Sequence, residues 1–234
     1  MASTLNRTRL YHGTSREMLD RILVEGIRPR GELPGNFGHS VASHPGAVYL
    51  TDTYPTYFAV GSGRSAGAII EIDVDALDAG RLRADEDYLA STTSGGPSRS
   101  NVRRHRDQLV DVLSSWQDSL SGLGTCAYLG TIPVTAITRV AIIDFDKAPG
   151  LACAGADMSI SLANFQICGF DHRAMLAWIL GDPIPDMSAP EAALSFWRLG
   201  FTPGCNPAER PAITVLDMKK GPAGPSSVRS ATAD

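Results

Sequence analysis

The chain has 234 residues, 43% of them hydrophobic and 20% charged, which is enough for one sizeable core or two small ones. A net charge of −4, from 21 basic and 25 acidic side chains, excludes a protein that coats nucleic acid by bulk electrostatics, while leaving room for a local basic patch. The longest apolar runs, such as Ala68-Ile69-Ile70 and residues 140–143, fall far short of the roughly 20 residues of a membrane span. Residues 1–10 carry no apolar h-region, and Cys126, Cys153, Cys168 and Cys205 form no C-x-x-C pair. The expectation is a cytoplasmic protein with free, mostly packed thiols, no structural zinc and no disulfide framework.

Residues 8–12 read as a strand. Gly13-Thr14-Ser15 then turns into a helix whose Met18, Leu19, Ile22 and Leu23 follow helical spacing, with Ser15 as N-cap and Gly26 as its end. Residues 30–46, rich in Gly, Pro, Ser and His, read as an ordered surface loop. Val48-Tyr49-Leu50 is the next strand. Asp52 or Thr53 caps a short helix with Pro55 in its first turn, running through Tyr57, Phe58 and Ala59, and residues 68–74 form another strand. Residues 69–90 are acidic, with seven acids against Arg81 and Arg83, and residues 91–100 form a Ser/Gly-rich loop.

A helix is predicted over 101–120, with Val102, Leu109, Val112, Leu113 and Trp116 on its apolar side. Strands follow at 126–129, 137–144 and 160–168, and then a short capped helix at 171–180. Residues 182–211 hold six prolines and read as an appendage on the main domain, while 221–234, made largely of Gly, Pro, Ser and Ala, read as a disordered tail. Strands interrupted by helices without a clean βαβ alternation predict one α+β domain over residues 1–220.

Two segments stand out chemically. His12 ends a strand beside a glycine that permits close backbone approach, with free N–H groups at the following helix start, an arrangement suited to a polar or anionic ligand. Its alternative reading is a histidine packed under a turn. Tyr49, with Thr51 and Asp52, sits in and after a strand; by itself it reads as packing followed by a cap.

Taken together and in order, these segments resemble a known family. Tyr11-His12-Gly13-Thr14-Ser15, then Glu25-Gly26-Ile27-Arg28-Pro29, then Val48-Tyr49-Leu50-Thr51-Asp52, then Ala68-Ile69-Ile70-Glu71-Ile72-Asp73 resembles the ADP-ribosyltransferase superfamily. The resemblance is to its branch with histidine and tyrosine as the first two signature residues. The chain is similar there to RNA 2′-phosphotransferases, rifamycin ADP-ribosyltransferases and DNA-targeting ADP-ribosyltransferase toxins, over residues 8–75 and, more thinly, 125–144. The resemblance implies an α+β, ADP-ribosyltransferase-like fold with a split β-sheet core and surrounding helices, with NAD as substrate and no metal.

It further implies that His12 bonds a ribose hydroxyl of NAD, that the Gly13 backbone holds the nicotinamide carboxamide and that Tyr49 stacks on the nicotinamide ring. Thr14 and Ser15 would contact the adenosine half, Arg30, or else Arg28, the pyrophosphate, and Tyr57 would form a pocket wall. Arg30 as a solvated loop residue and Tyr57 as plain packing stay open beside these roles. The third signature position of the family is an acid, and here the matching segment holds Thr125 and Cys126 instead. Either an acid comes from Asp85, Glu86 or Asp87, whose other reading is a solvated turn, or Thr125 only positions the sugar, or the chain binds NAD without turnover.

Arg99, Arg103, Arg104 and Arg106, with His105 among them, suit bidentate phosphate contacts, the alternative being a solvated helix face. These arginines and the resemblance point to a nucleic-acid base as acceptor, with a protein side chain or small molecule next. No membrane partner is expected.

Overall fold

The structure, a computed structural model, describes residues 9–32, 42–63, 65–111, 115–156, 165–184 and 207–220. Its centre is a seven-stranded antiparallel sheet in the order β4-β5-β2-β1-β3-β6-β7. The strands are β1 (Arg9–Ser15), β2 (Ala47–Thr51), β3 (Ala66–Asp73), β4 (Leu82–Ala84), β5 (Thr125–Leu129), β6 (Ile137–Asp144) and β7 (Ile213–Asp217). The helices are α1 (Arg16–Glu25), α2 (Pro55–Ser62), α3 (Glu86–Thr92), α4 (Arg99–Asp107), α5 (Trp116–Leu123), α6 (Pro149–Ala156) and α7 (Phe165–Leu180). The α+β class read from the sequence is the class observed.

The sheet is pinched in the middle. β1 pairs with β3 along its whole length, from Arg9↔Asp73 to Ser15↔Gly67, but meets β2 at the single register pair Tyr11↔Thr51. β2 is in turn fully paired with β5, from Ala47↔Leu129 to Thr51↔Thr125. Two well-bonded half-sheets therefore meet at a one-pair seam.

Alternate residues of the strands feed separate cores. Leu10, Val48, Leu50, Ile70, Ile72 and Val140 pack with Leu19 and Ile22 of α1 and Leu120 of α5. Tyr11, Ile69, Ala141 and Ile143 pack with Ala59 of α2, Leu151 of α6 and Met175 and Ile179 of α7. Ala47 and Ala127 form a smaller cluster with Leu89 of α3 and Leu109. Between β3 and β6, buried Glu71 accepts from Thr138 Oγ1 at 2.5 Å and from Arg139 Nε at 2.9 Å, and the same guanidinium forks onto Asp182 at 2.7 and 2.8 Å.

Several expectations need correction. β1 does not turn at Gly13 but continues to Ser15, which holds the N-cap position of α1 with extended backbone and no side-chain capping bond. Gly26 ends α1 as expected, at φ 81°, where a Cβ would come within 2.2 Å of the Ile132 carbonyl oxygen. The N-cap of α2 is Tyr54, neither Asp52 nor Thr53; Thr51 Oγ1 accepts instead from the backbone N–H of Thr53 and Tyr54, at 3.0 and 2.8 Å.

The single helix predicted over 101–120 is two helices. α4 ends at Asp107, and Ser115 starts α5 by accepting from Asp118 N–H at 3.2 Å. The apolar periodicity spans the break because Val102, Leu109 and Leu120 are all buried, in different places. The strand predicted over 160–168 is overturned at Phe165 to Cys168, which belong to α7; residues 157–164 lie outside the described residues. α7 also absorbs the helix predicted at 171–180, starting six residues earlier. Most of the proline-rich interval and the predicted tail lie outside the described residues, but β7 follows that interval and completes the sheet.

Of the thiols, Cys126 is buried and Cys153 exposed, so the expectation of packed cysteines fails at Cys153. Among the described residues no helix is long and apolar enough to cross a membrane.

Candidate functional site

The seam between β1 and β2 brings the first two sequence candidates together. His12 Nδ1 lies 3.0 Å from the backbone carbonyl oxygen of Tyr49. A carbonyl only accepts, so Nδ1 carries the proton and Nε2 presents a lone pair. Burial pushes the imidazole below its ordinary value, the bond to the Tyr49 carbonyl opposing this in part. The ring is therefore neutral at pH 7, and its Nε2 suits acceptance from a hydroxyl.

Gly13, beside His12, lies against the first turns of α2. A Cβ there would sit 2.1 Å from the Pro55 carbonyl oxygen and 2.7 Å from the Ala59 nitrogen. The glycine is demanded by helix packing, whatever the strand binds. Thr14 and Ser15 are each 8% exposed and continue β1 against β3. Tyr57, half-buried in the same part of α2, has its ring edge-on to Phe58 with centroids 5.4 Å apart.

The Tyr49 hydroxyl accepts from the backbone N–H of His44 at 2.9 Å and donates to Glu86, whose two carboxylate oxygens lie 2.7 and 2.6 Å away. This fixes the half-buried ring from its far end. Glu86 sits in the first turn of α3, and Asp85 is that helix's N-cap, its Oδ1 accepting from Asp87 N–H at 2.9 Å. The two are 5% and 6% exposed. The reading of 85–87 as a solvated turn thus fails for both.

Strand register explains how they arrive there. Ala84 pairs with Cys126, which brings Asp85, the next residue, level with Thr125 at the start of β5, and Thr51 pairs with Thr125 from the other side. Ser119 Oγ ties the corner, donating to the Thr125 carbonyl at 2.7 Å and accepting from Asp85 N–H at 2.9 Å. Thr125 Oγ1 is buried beside the Asp85 carboxyl, whose charged form it favours against the effect of burial, and it makes no hydrogen bond of full geometry among the described residues. So the position where the resemblance expects an acid holds a threonine, with two buried acids delivered next to it by β4 and α3.

Burial raises both acids, Asp85 to about 6 under the added charge of Asp87, and Glu86 to about 8 under that of Asp85. Burial, then the charge of Glu86, likewise pushes the Tyr49 phenol far above its usual value.

The basic segment is not remote. Arg106 Nη1 donates to the Ala42 carbonyl at 3.2 Å, in the loop that carries His44 to the Tyr49 hydroxyl, and its charge helps lower the His44 imidazole, after burial. Arg106 is also held by Asp107 at 2.6 and 2.8 Å. Arg99, Arg103 and Arg104 are exposed on α4, with Ser98 capping the helix start. Arg30 is exposed in the loop after α1, and Arg28 pairs with Glu25 at 3.1 Å.

Sequence reasoning missed His44, which touches the site only through its main chain, a contact with no residue-type signature. The cluster of three consecutive acids was visible, but the burial of two of them is set by β4, a strand too short to show periodicity.

No protein-family profile matches the chain, and no curated protein sequence is significantly similar to it. Among solved structures the chain is similar to EcPltA, at 14% identity and a TM-score of 0.34, over 62% of this chain and 81% of that one. It is also similar to a mutant of the E. coli heat-labile enterotoxin, at 16% identity and a TM-score of 0.33, over 79% of this chain and 96% of that one. At TM-scores of this size neither likeness establishes a shared fold.

Proposed function

We propose that the chain is an NAD-dependent ADP-ribosyltransferase that transfers ADP-ribose to an acceptor, a nucleic-acid base in the first instance, and releases nicotinamide. The observation that carries this reading is the bond of the His12 imidazole to the Tyr49 main chain across the seam, with the buried acids Asp85 and Glu86 at the far end of the Tyr49 side chain.

The chemistry suits those groups. When the bond between nicotinamide and ribose breaks, its electron pair goes to the ring nitrogen. Nicotinamide leaves neutral and needs no proton, while the sugar becomes cationic. Such a step asks for orientation and for negative charge near the sugar rather than for a strong acid. Neutral His12 orients a ribose hydroxyl through Nε2, and the Tyr49 ring holds the nicotinamide. The acceptor must lose a proton as it attacks, and Asp85, at about 6 and so ionised at neutral pH, is the group suited to take it, while Glu86, at about 8, still holds its own proton there. Arg99, Arg103 and Arg104 supply phosphate contacts for the acceptor strand.

The test is incubation with radiolabelled NAD and either DNA or RNA. Label on the nucleic acid that is lost in both His12→Ala and Tyr49→Ala supports the reading; label on protein alone moves the acceptor to a side chain. A second reading rests on Thr125, which cannot act as a base at neutral pH. It makes the chain a non-catalytic NAD- or nucleotide-binding module. Tight NAD binding without nicotinamide release, with or without acceptor, decides for it.

A further inference from the structure

Tyr49 cannot offer a ligand its proton, because that proton is committed to Glu86 and the same oxygen already accepts from His44 N–H. What it offers is a half-buried ring. The face of such a ring carries negative electrostatic character, and the Glu86 carboxylate bonded to the phenol strengthens it once ionised, above about pH 8.

The anion here has an unusual feature. Asp85 and Glu86 are both buried, yet neither forms an ion pair with a lysine, arginine or histidine among the described residues. Other carboxylates of the fold do find cations: Glu71 and Asp182 share Arg139, and Asp52 bonds Arg173 at 2.7 Å. Buried acids without a cation are costly, and a positive group entering the site would relieve them. Thr125 Oγ1, buried beside Asp85 and without a hydrogen bond of full geometry among the described residues, leaves polar capacity open at the same corner.

We propose that Asp85 and Glu86, acting through the Tyr49 ring, make the site selective for a positively charged aromatic ring, with Glu86 as the positioning residue that couples the acid pair to Tyr49. This rests on the reading of the site as one that binds NAD, whose oxidised nicotinamide is a pyridinium, and adds what selects the oxidised form. It also gives the release step a direction. Once the glycosidic electron pair has moved to the ring nitrogen, the nicotinamide is neutral and loses this attraction, while the cationic sugar left behind keeps it.

The probe pair is 1-methylnicotinamide and nicotinamide, a cation and a neutral ring of nearly the same shape, titrated calorimetrically at pH 8.5 and repeated with NAD and NADH. The wild-type protein is expected to bind each cationic form more tightly than its neutral counterpart. Glu86→Gln keeps an oxygen for the Tyr49 hydroxyl but removes the charge, and is expected to cut that ratio about fivefold as the cation attraction weakens, with the neutral probes unchanged. Tyr49→Phe keeps the ring and breaks the link, so its ratio falls likewise even where Glu86→Gln does not fold.

An unchanged ratio in both variants overturns the inference, as does an equal weakening for cationic and neutral probes, which marks a purely structural role. Absence of binding by any of the four probes overturns it too. Discrimination without ADP-ribose transfer keeps the inference and removes the transferase reading. Transfer without discrimination does the reverse.

Discussion

The buried acid pair makes folding stability depend on pH in a way that one substitution isolates. Glu86 is held at about 8 in the folded protein, against an ordinary value of 4.5, mainly because burial disfavours its charge and Asp85 stands beside it. The folded chain therefore keeps this proton to higher pH than the unfolded chain. The associated stabilisation is complete below about pH 4.5 and is lost as pH rises through 8. At 1.36 kcal/mol for each tenfold change in proton affinity, the decline attributable to Glu86 between pH 5 and 9 is about 4 kcal/mol, a ceiling because Asp85 titrates with it.

Glu86→Gln stays neutral throughout and removes this decline. Urea denaturation from pH 5 to 9 is then expected to show wild type and variant diverging in the variant's favour, by a few kcal/mol at pH 9 relative to pH 5. A smaller decline remains from Asp85, raised to about 6. Parallel curves across that range would refute a buried, charge-disfavouring environment for Glu86, and with it the account of the corner where α3, β2 and β5 meet.

Other outcomes follow from single features of the fold. Gly13→Ala drives a Cβ against the Pro55 carbonyl oxygen and is expected to cost about 3 kcal/mol by thermal melting; a wild-type melting curve would remove α2 from its place on β1. Arg139→Ala leaves the Glu71 carboxylate, 4% exposed, without its main cation and is expected to destabilise by about 3–5 kcal/mol in urea, whereas Lys147→Ala, with a lysine 75% exposed, is expected to be near neutral. Replacing Arg99, Arg103 and Arg104 by alanine together is expected to lower the salt slope of duplex DNA binding by about 0.9 for each phosphate no longer neutralised. Arg106→Ala is expected to change it little, since Asp107 and the Ala42 carbonyl already hold that guanidinium. An unchanged slope in the triple variant would remove α4 from any nucleic-acid interface.

Legibility in the sequence followed the range of the forces involved. β1, β2, β3, β5 and β6 and helices α1 and α2 were readable because apolar spacing, Gly26 and Pro55 act locally. His12 and Tyr49 were readable only as a pair in a particular order, since each alone has an ordinary packing explanation. The breaks came where tertiary contacts decide. Residues 101–120 carry one continuous apolar stripe, yet Leu109 and Leu120 serve different cores and the chain leaves the helix between them. Phe165 to Cys168 look strand-like by residue type but extend a helix whose later turns pack on β6 and α6. The acids were the hardest, because nothing in Asp85-Glu86-Asp87 distinguishes a solvated turn from a helix start closed over by β5 and α5. Only the pairing of Leu82, Arg83 and Ala84 with Tyr128, Ala127 and Cys126 turns it inward.

The one-pair seam is the thinnest line in the backbone ladders of the sheet. On one side, β1, β3, β6 and β7 share continuous ladders; on the other, β2, β4 and β5 do; between them stands Tyr11↔Thr51. Each half has its own continuous ladder, and what joins the halves is less the backbone than the core that Leu10, Ile70 and Val140 share with Val48 and Leu50. His12 belongs to one half and Tyr49, with Glu86 behind it, to the other. A ligand gripping both would therefore act as a staple across the sparsest backbone pairing of the sheet, and its signature would be slowed hydrogen exchange concentrated along β1 and β2.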